Sequence, residues 1–457
     1  MNEYKHLMTN RDKDVFIPLV PSILGAMLMS KVSRQKEGFR EDLIKMVSED
    51  MVKLPKEANY ELFKESYIVA NGFMEKWGVN YGHSSIKELD ALQMCFENKS
   101  RWFTEILETV KPSKFMSFIE YSLRYNPPKS YHVPAELDAY PDLKEKYISF
   151  CDFCFSVYQE SSEDFMELFR ARYPELSERD LSIKAFENAR NFLPLSTHAN
   201  MGMQSNLRAF CDALSELMAY EGINEEVYST ALMMKEEAEK VSVGMVKHTE
   251  KTPYLESYIN SFYADVDIPK ERYEHDGVRV LTDDTLIGNI EMLNRYGDLS
   301  KMDRFDELPA VFRTVGRWVE VDMSEACHHQ FLRHRAFSYR PHMPNVDFGY
   351  ISPPELRKED CEMQAHLKSK LAGVYESSCE IYDALTEAGL KHLAPYVVLN
   401  CNLRKTEFFA DFAGMSHFIT LRKEAHAQDE IREIAERLDE AFVEDRKQVP
   451  NLRFDKN

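Results

Sequence analysis

Two stretches of cationic side chains stand out in the sequence because of the chemistry that their spacing allows. The first is Gln330-Phe-Leu-Arg-His-Arg-Ala-Phe-Ser338, in which Arg333, His334 and Arg335 are consecutive and a hydroxyl follows. Guanidinium groups bind phosphate oxygens in a bidentate manner, so this run suits an anion such as a pyrophosphate. A solvated basic turn at a helix end is the alternative that composition alone favours.

The second stretch runs from His417 to Arg432 and contains Leu-Arg-x3-His-Ala-Gln. Read as one helix, Arg422 and His426 are four residues apart and share a face, with Ile431 and Ile434 packing further along. Arg and His at this spacing are common on solvated faces. The occurrence of both stretches in this order is therefore the informative feature.

A metal site is a competing interpretation of the residues around the first stretch. Cys327, His328, His329 and His334 are all possible ligands. Adjacent histidines on a helix point about 100° apart, so His328 and His329 cannot both ligate one ion comfortably. The sequence therefore favours an anion over a metal here.

The chain is strongly acidic, so a local cluster of cationic side chains indicates a binding site for an anion. The 457 residues carry 57 Lys and Arg against 77 Asp and Glu, a formal net charge of -20. A general nucleic-acid binder would need a basic footprint, so we expect no nucleic-acid partner.

The length and the composition predict a globular protein of two domains. A chain of 457 residues exceeds the size of a usual single core, and 44% hydrophobic with 29% charged residues is the balance of a folded protein.

The cysteines and the apolar stretches indicate a cytoplasmic protein without a membrane segment. Cys151 and Cys154 form a CxxC among phenylalanines, but no second CxxC completes a zinc site, so we expect reduced core thiols. The most apolar stretch, Val15 to Met29, is short of a membrane span and carries Pro18 and Pro21.

Most of the chain has the periodicity of helices. Apolar residues recur at helical spacing in Glu225–Lys247, Glu362–Ala388 and His426–Phe442. Trp318–Met323 alternates as a strand does, and helix-like sequence follows it at once. The predicted fold class is α+β, dominated by helices.

Internal similarity predicts a duplication. Val157–Glu163 recurs as Val374–Glu380, at an offset of 217 (374 − 157), and Pro134–Leu137 recurs as Pro353–Leu356, at 219 (356 − 137). Downstream, Ala189–Pro194 matches residues 394–399 at an offset of 205, so about a dozen residues are missing from the second copy. We place the boundary near residues 245–280, which gives domains 1–250 and 251–457.

Together the two cationic stretches resemble the flavin-dependent thymidylate synthases. That family has an Arg-His-Arg that continues to Glu-x-Ser-x-Arg-Tyr, and a later Leu-Arg-x3-His-Ala-Gln segment. The continuation is lost after Arg335 but is present in the first copy as Glu120–Tyr125. The positions that replace it in the second copy are Pro341, Met343 and Asn345, and those that replace Arg-His-Arg in the first copy are Pro112, Ser113 and Lys114.

The same exchange affects the other motifs of the family. Ala-Arg-x3-Pro and Asn-x-Arg are intact in the first copy, with Arg190, Asn206 and Arg208, whereas the second copy has Pro395, Asp411 and Ala413. Arg422 and His426 are kept in the second copy and lost around Leu217 in the first. A Gly-His segment with His83 and Ser85 survives only in the first copy, where Thr109 replaces Gln330.

Each of these elements that one copy has lost is therefore kept in the other. Members of this family are usually homotetramers with active sites between subunits, so the resemblance implies two tandem copies that form a pseudo-dimer. It further implies one composite active site per chain and a homodimer that mimics the tetramer.

The resemblance also implies the reaction and the roles. FAD is reduced by NADPH, methylenetetrahydrofolate supplies one carbon, and dUMP becomes dTMP, with no cysteine nucleophile. Arg422 and Gln330 are the expected catalytic residues, which stabilise charge on the pyrimidine ring. The expected substrate-binding residues are Glu120, Ser122, Arg124 and Arg190. The expected FAD-binding residues are His83, Ser85, Asn206, Arg208, Arg333, His334, Arg335, Ser338 and His426.

Other functions remain open because several polar positions differ from the family. The family commonly has an Asn where the two copies have Asp212 and His417. A sister flavoenzyme that modifies another pyrimidine nucleotide is one alternative. A non-catalytic relative that binds flavin or nucleotide is a second, and a helical scaffold with an accidental likeness is a third.

Overall fold

The computed structural model describes residues 7–20, 22–31, 38–49, 72, 87–88, 90–242, 245–263, 278–280, 310–334, 337–340, 342–357, 361–424 and 427–442. The chain forms two compact units. The first is Met1–Val266 with Ser377–Val397, and the second is Asp267–Glu376 with Val398–Asn457. The second sequence copy therefore contributes one segment to the first unit.

The described part of the first unit contains a four-stranded antiparallel sheet in the order β1-β2-β4-β3. Its strands are β1 (Val15–Phe16), β2 (Ala91–Ser100), β3 (Met116–Glu120) and β4 (His198–Asn206). Its helices are α1 (Ser22–Lys31), α2 (Phe39–Ser48), α3 (Arg101–Thr109), α4 (Pro141–Arg172), α5 (Glu178–Ala189), α6 (Leu207–Met218), α7 (Glu225–Val241) and α8 (Pro253–Phe262). Short 3-10 turns cover Lys111–Phe115, Ala135–Ala139, Arg190–Phe192 and Lys391–Val397.

The second unit repeats this sheet, in the order β5-β6-β8-β7 over the described residues. Its strands are β5 (Val278–Val280), β6 (Gly316–Ser324), β7 (Ser338–Arg340) and β8 (Leu403–Asp411). Its helices are α9 (Glu325–Phe331), α10 (Pro354–Arg357), α11 (Glu362–Glu387, which continues into the first unit), α12 (Phe412–Arg422) and α13 (Asp429–Ala441). A 3-10 turn covers Ala310–Thr314.

The strand registers confirm the duplication. Phe118 of β3 pairs with Met203 of β4, and Tyr339 of β7 pairs with Phe408 of β8. The offsets are 221 for the first strand of each pair (339 − 118) and 205 for the second (408 − 203). The motif comparison uses the same offsets, because it sets Glu120 against residue 341 and Asn206 against residue 411. The chain is thus a helix-dominated α+β protein built from two tandem copies.

The strand-to-helix junction is the same in both copies. Ser100 caps α3 by accepting a hydrogen bond from Phe103 N at 2.9 Å, and its own N and Oγ donate to Glu226 at 2.8 and 2.6 Å. Ser324 caps α9 in the same way, and its N and Oγ donate to Glu430 at 2.7 and 2.5 Å. A buried carboxylate is tolerated only when it is hydrogen-bonded, and these caps supply the donors.

Several predicted elements are confirmed. The helix predicted at Glu225–Lys247 begins at Glu225 and ends at Val241, and the one predicted at Glu362–Ala388 ends at Glu387. The strand predicted at Trp318–Met323 lies inside β6, and α9 follows it directly. Cys151 and Cys154 are buried free thiols, and burial raises the pKa of Cys151 to about 12.

Among the described helices, none is long and apolar enough to cross a membrane.

One helix prediction is wrong. The continuous helix expected to carry both Arg422 and His426 is interrupted, because α12 ends at Arg422 and α13 begins only at Asp429. No Gly or Pro marks the interruption. Its physical reason is tertiary, since Glu430 must lie in the first turn of α13 to accept the hydrogen bonds of Ser324.

Tyr396 fixes the 3-10 turn Lys391–Val397 within the first unit. Its hydroxyl donates to Glu226 Oε2 at 2.7 Å and accepts from Asn224 Nδ2 at 3.1 Å. Burial raises the pKa of the Tyr396 hydroxyl far above its usual value, so it remains a donor at every physiological pH. The turn is therefore tied to the same carboxylate that supports Ser100.

Replacing Tyr396 by Phe is expected to destabilise the protein. The change removes a hydrogen bond to a buried carboxylate, which typically contributes about 1.5–3 kcal/mol. The urea midpoint of unfolding, followed by circular dichroism, should fall. Tyr140→Phe is the matched control, because Tyr140 is 40% exposed and should move the midpoint by much less. Equal midpoints for Tyr396→Phe and the wild type would contradict this role.

Candidate active site

Three of the residues predicted to take part in catalysis or cofactor binding come together in the second unit. Arg422, the last residue of α12, donates from Nε to His334 Nε2 at 2.8 Å and from Nη2 to the Gln330 carbonyl oxygen at 3.3 Å. Gln330 and His334 lie at the end of α9 and in the turn after it. The guanidinium is thus oriented by two acceptors from another part of the chain.

The turn that carries His334 is held from β7. His334 N donates to Phe331 O at 2.9 Å, which closes the turn after α9. The Tyr339 hydroxyl lies near two carbonyl oxygens, those of Phe331 at 3.1 Å and His334 at 3.0 Å. A helix end leaves carbonyls without intrahelical donors, and Tyr339 supplies one here.

His334 is a neutral imidazole in this arrangement. Its side chain is buried, and its ring meets the Phe418 ring edge-on at 4.7 Å. Because Nε2 accepts from Arg422, the ring proton belongs on Nδ1. Burial, followed by the charge of Arg422 and the nearby His417 and Arg333, lowers the pKa of His334 to about 2.

The depressed pKa of His334 has a consequence for acid stability. The ring stays neutral in the folded state, whereas it is protonated near pH 6.5 in the unfolded state. The contribution of His334 to the free energy of unfolding is therefore complete above pH 6.5 and is lost as the pH falls toward 2. We expect a loss of up to about 1.4 kcal/mol per pH unit below 6.5 from this one group.

This pH dependence can be measured by urea unfolding at pH 7 and pH 5. His334→Gln keeps an acceptor for Arg422 but does not titrate, so its midpoint should fall less between the two pH values than that of the wild type. An equal fall in both proteins would show that His334 contributes nothing to acid sensitivity. Comparing the two proteins cancels the other titrating groups, which both share.

The side-chain amide of Gln330 is also held in place. Its Nε2 donates to Ala326 O at 3.4 Å and to Oε1 of Gln428, the residue just before α13. Gln428 was not among the predicted site residues. The sequence does contain a signal for it, since Gln428 closes the Leu-Arg-x3-His-Ala-Gln segment.

A second cationic cluster lies in the first unit. Arg124 Nε is 3.2 Å from Glu187 Oε1, and Arg190 Nη2 is 3.7 Å from the same oxygen. The structure therefore brings together the two guanidiniums predicted to bind a phosphate, with the carboxylate of Glu187 between them. Glu187 was not predicted.

The other two predicted substrate residues adjoin Arg124 in sequence. Ser122 begins the turn that contains Arg124, and its carbonyl oxygen accepts from Tyr125 N at 3.1 Å and from Asn126 N at 3.2 Å. Glu120 is buried, accepts from Thr104 Oγ1 at 2.7 Å and lies 3.4 Å from Arg101 Nη1. Glu120 is thus already engaged by its own unit, whereas Ser122 is only partly buried.

The described residues predicted to bind FAD lie at several places. Arg333 and Ser338 are exposed, Asn206 caps α6 through Ala209 N at 2.9 Å, and Arg208 Nη1 lies 2.6 Å from Glu88 Oε1. Exposed guanidiniums in so acidic a chain suit an anionic group such as a pyrophosphate. The remaining candidates lie outside the described residues and are His83, Ser85, Arg335 and His426.

The sequence also offered Cys327, His328, His329 and His334 as possible metal ligands, and these residues lie in or next to α9. His328 Nδ1 lies 3.1 Å from Thr406 Oγ1, in the buried interior of the second unit. Over the described ranges no group of three or more His, Cys, Asp or Glu side chains is placed to hold a metal ion.

The fold and these clusters define a tandem-duplicated α+β protein in which each unit carries its own group of guanidiniums. The chain belongs to the thymidylate synthase complementing protein family, whose model matches residues 26–242 and 295–450. The two matched segments correspond to the two copies of the repeat.

Individual relatives are distant. A UPF0159 protein of Thermoplasma acidophilum is 22% identical, over 80% of this chain and 85% of its own length. A UPF0159 protein of Chlamydia muridarum is also 22% identical, over 94% of this chain and 89% of its own length. A flavin-dependent thymidylate synthase of Mycobacterium leprae is 27% identical, over 25% of this chain and 52% of its own length.

Proposed function

We propose that the protein is a flavin-dependent thymidylate synthase with one composite active site per chain, which converts dUMP to dTMP with methylenetetrahydrofolate and NADPH. The observation that carries the proposal is the complementary retention of motifs. The first copy keeps Arg124 and Arg190, the second keeps Gln330 and Arg422, and each copy has lost what the other keeps. Family membership supports the same reaction.

The two clusters suit different parts of the substrate. Arg124 and Arg190 both lie within 3.7 Å of one oxygen of Glu187, which supports their binding a single anionic group such as a nucleotide phosphate. Carbon 5 of uracil is a poor nucleophile, so its reaction needs stabilisation of charge on the ring oxygens, which the oriented cation of Arg422 provides. Because His334 is neutral, the positive charge of this cluster is concentrated on Arg422.

The expected cofactor fits the residues available. FAD, when bound, supplies the redox chemistry of the reaction. Arg333 and Arg208 would hold its anionic parts, with Asn206 and Ser338 beside them in the motifs. The quaternary expectation is a homodimer, because one chain supplies two of the four family-sized units.

Removal of the two arginines of the Arg-His-Arg motif should release the flavin. Two charge-assisted contacts to a pyrophosphate are lost in the double variant Arg333→Ala and Arg335→Ala, at about 1.5–3 kcal/mol each. The flavin absorbance of the purified protein should fall to a small fraction of the wild-type value. Arg357→Ala is the control, because Arg357 pairs with Glu433 on the surface of the same unit. An undiminished flavin spectrum in the double variant would refute this binding site.

The function is tested by the product. NADPH oxidation that depends on dUMP, with transfer of labelled carbon from methylenetetrahydrofolate into dTMP, is the expected result. Mass analysis of the nucleotides identifies the product directly. A flavoprotein that binds dUMP but forms no dTMP under these conditions would overturn the proposal.

A sister enzyme acting on another pyrimidine nucleotide is the second candidate. It is favoured by the polar positions that depart from the family, which include Met343, Asn345, Asp212 and His417. Asn345 is buried and uses its Oδ1 to accept from Asp347 N at 3.0 Å, so it supports its own turn. The same mass analysis separates this candidate, since a different nucleotide would gain the label.

A further inference from the structure

The orientation of the Gln330 side-chain amide is fixed by the protein. A backbone carbonyl can only accept, so the contact with Ala326 O identifies the nearby atom of Gln330 as Nε2. Gln428 Oε1 accepts from the same Nε2. Gln330 Oε1 has no partner in the described part of the chain and is not buried. Gln330 therefore presents a hydrogen-bond acceptor and withholds its donor.

This polarity distinguishes between pyrimidine bases. Uracil presents an N3–H donor between two carbonyl oxygens, whereas cytosine presents an N3 lone pair beside an amino group. An amide oxygen accepts from the N3–H of uracil and repels the N3 lone pair of cytosine. The neighbouring Arg422, which can only donate, matches a carbonyl oxygen and opposes an amino group.

We propose that Gln428 is the positioning residue that holds Gln330 with its oxygen outward and thereby selects uracil over cytosine nucleotides. This inference rests on the proposed function, since it assumes that the pyrimidine ring meets Gln330 and Arg422. Gln428 acts through Gln330 and does not itself need to contact the base.

The position of Gln428 allows this role to be tested without breaking the fold. Gln428 is the residue before α13, but its side chain makes no capping hydrogen bond there. The hydrogen bond from Arg432 N to its carbonyl oxygen, at 3.0 Å, survives any substitution. The helix is anchored independently through Glu430.

The experiment compares the binding of dUMP and dCMP by calorimetry to the flavin-loaded protein. The two nucleotides share phosphate and sugar, so the ratio of their dissociation constants isolates the base. Wild type should favour dUMP by about ten- to a hundredfold or more. Gln428→Met has a similar shape but only the weak acceptor of a thioether. The Gln330 Nε2 then keeps only its long 3.4 Å contact with Ala326 O, so the amide can turn and the ratio should fall about tenfold or more. Gln428→Glu retains an acceptor oxygen and should keep the preference.

Arg432→Ala, one turn further along α13, is the control and should keep the wild-type ratio. If Gln428→Met does not fold, Gln428→Ala removes the acceptor without a bulky apolar replacement. An unchanged ratio in Gln428→Met or Gln428→Ala overturns the inference but leaves the synthase proposal standing. If the wild type binds neither nucleotide, the proposed function and the inference both fail.

Discussion

Replacement of Arg422 by alanine should reduce kcat for dTMP formation by about two to three orders of magnitude, the usual effect of removing one group that stabilises developing charge. The affinity for dUMP should fall by much less, because the phosphate is expected to be held by residues of the first copy. The hydrogen bonds of Arg422 to His334 and Gln330 orient the guanidinium before substrate arrives, so little reorganisation is needed during the reaction. Steady-state kinetics, with dUMP binding measured separately, distinguishes the two effects.

Two further variants make the Arg422 result interpretable. Arg422→Lys keeps the charge but has a single ammonium in place of a planar fork, so it should recover only part of the lost rate. Lys423→Ala removes the next cation along the chain, which pairs with Asp439 at 2.8 Å, and should leave kcat within a fewfold of wild type. A wild-type kcat in Arg422→Ala would exclude Arg422 from the chemistry. A fall in kcat matched by a lowered unfolding midpoint would indicate a structural role instead.

The duplication could be predicted from sequence because backbone pairing preserves offsets. Within each copy the strand pairing is the same, so β8 follows β4 at a fixed sequence offset of 205 (408 − 203), and β7 follows β3 at 221 (339 − 118). Weak matches such as Pro134–Leu137 with Pro353–Leu356 are enough to reveal them. A gap of about a dozen residues was likewise predicted, and α5, which has 12 residues, has no counterpart between α11 and the turn at Lys391–Val397 among the described residues.

The interruption between α12 and α13 could not be predicted in the same way. Residues 421–428, at the interruption, are strong helix formers apart from His426, so local propensity favours one long helix. The ending is imposed by Glu430 and Ser324, which are 106 residues apart in sequence. A tertiary hydrogen bond of this kind leaves no local pattern.

Glu187 and Gln428 were not predicted as site residues for the same reason, because their roles depend on tertiary contacts. Glu187 precedes Arg190 by three residues on one helical stretch, a common surface arrangement, and becomes informative only when Arg124 reaches the same carboxylate. Gln428 closes the Leu-Arg-x3-His-Ala-Gln segment, but its role becomes apparent only through its contact with Gln330, 98 residues away. Motif comparison located the cations and Gln330, but it did not identify Glu187 and assigned no role to Gln428.

The two copies retain their backbone contacts where their side chains have diverged. His132 N donates to Ser196 O at 2.8 Å in the first unit, and Ile351 N donates to Cys401 O at 3.0 Å in the second. The His198 N bond to Ser130 O similarly matches the Leu403 N bond to Gly349 O. Backbone hydrogen bonds are satisfied by any residue, so polar side chains can be lost from one copy without disturbing the fold. That freedom is what a division of site residues between copies requires.

Arg124→Ala should weaken dUMP binding by about ten- to a hundredfold, since one arm of a charge-assisted phosphate contact typically contributes on the order of 1.5–3 kcal/mol. Glu187→Gln should act in the opposite direction. Its carboxylate lies within 3.7 Å of both guanidiniums and repels an incoming phosphate, so a neutral amide there should tighten dUMP binding several-fold. Calorimetric titration of the flavin-loaded protein measures both affinities, and it should find one dUMP per chain.

Two controls separate this effect from a general loss of charge and test the division of labour. Lys184→Ala removes a cation from the same helix as Glu187, where its ammonium lies over the Phe169 and Tyr173 rings, and should leave dUMP affinity unchanged. Asn345→Ala alters the position that corresponds to Arg124 in the second copy. It should lower stability, because Asn345 bonds its own turn, without weakening dUMP binding. Equal losses of affinity in Arg124→Ala and Asn345→Ala, or two equivalent dUMP sites per chain, would mean that both copies carry working phosphate sites, and a single composite site would then be excluded.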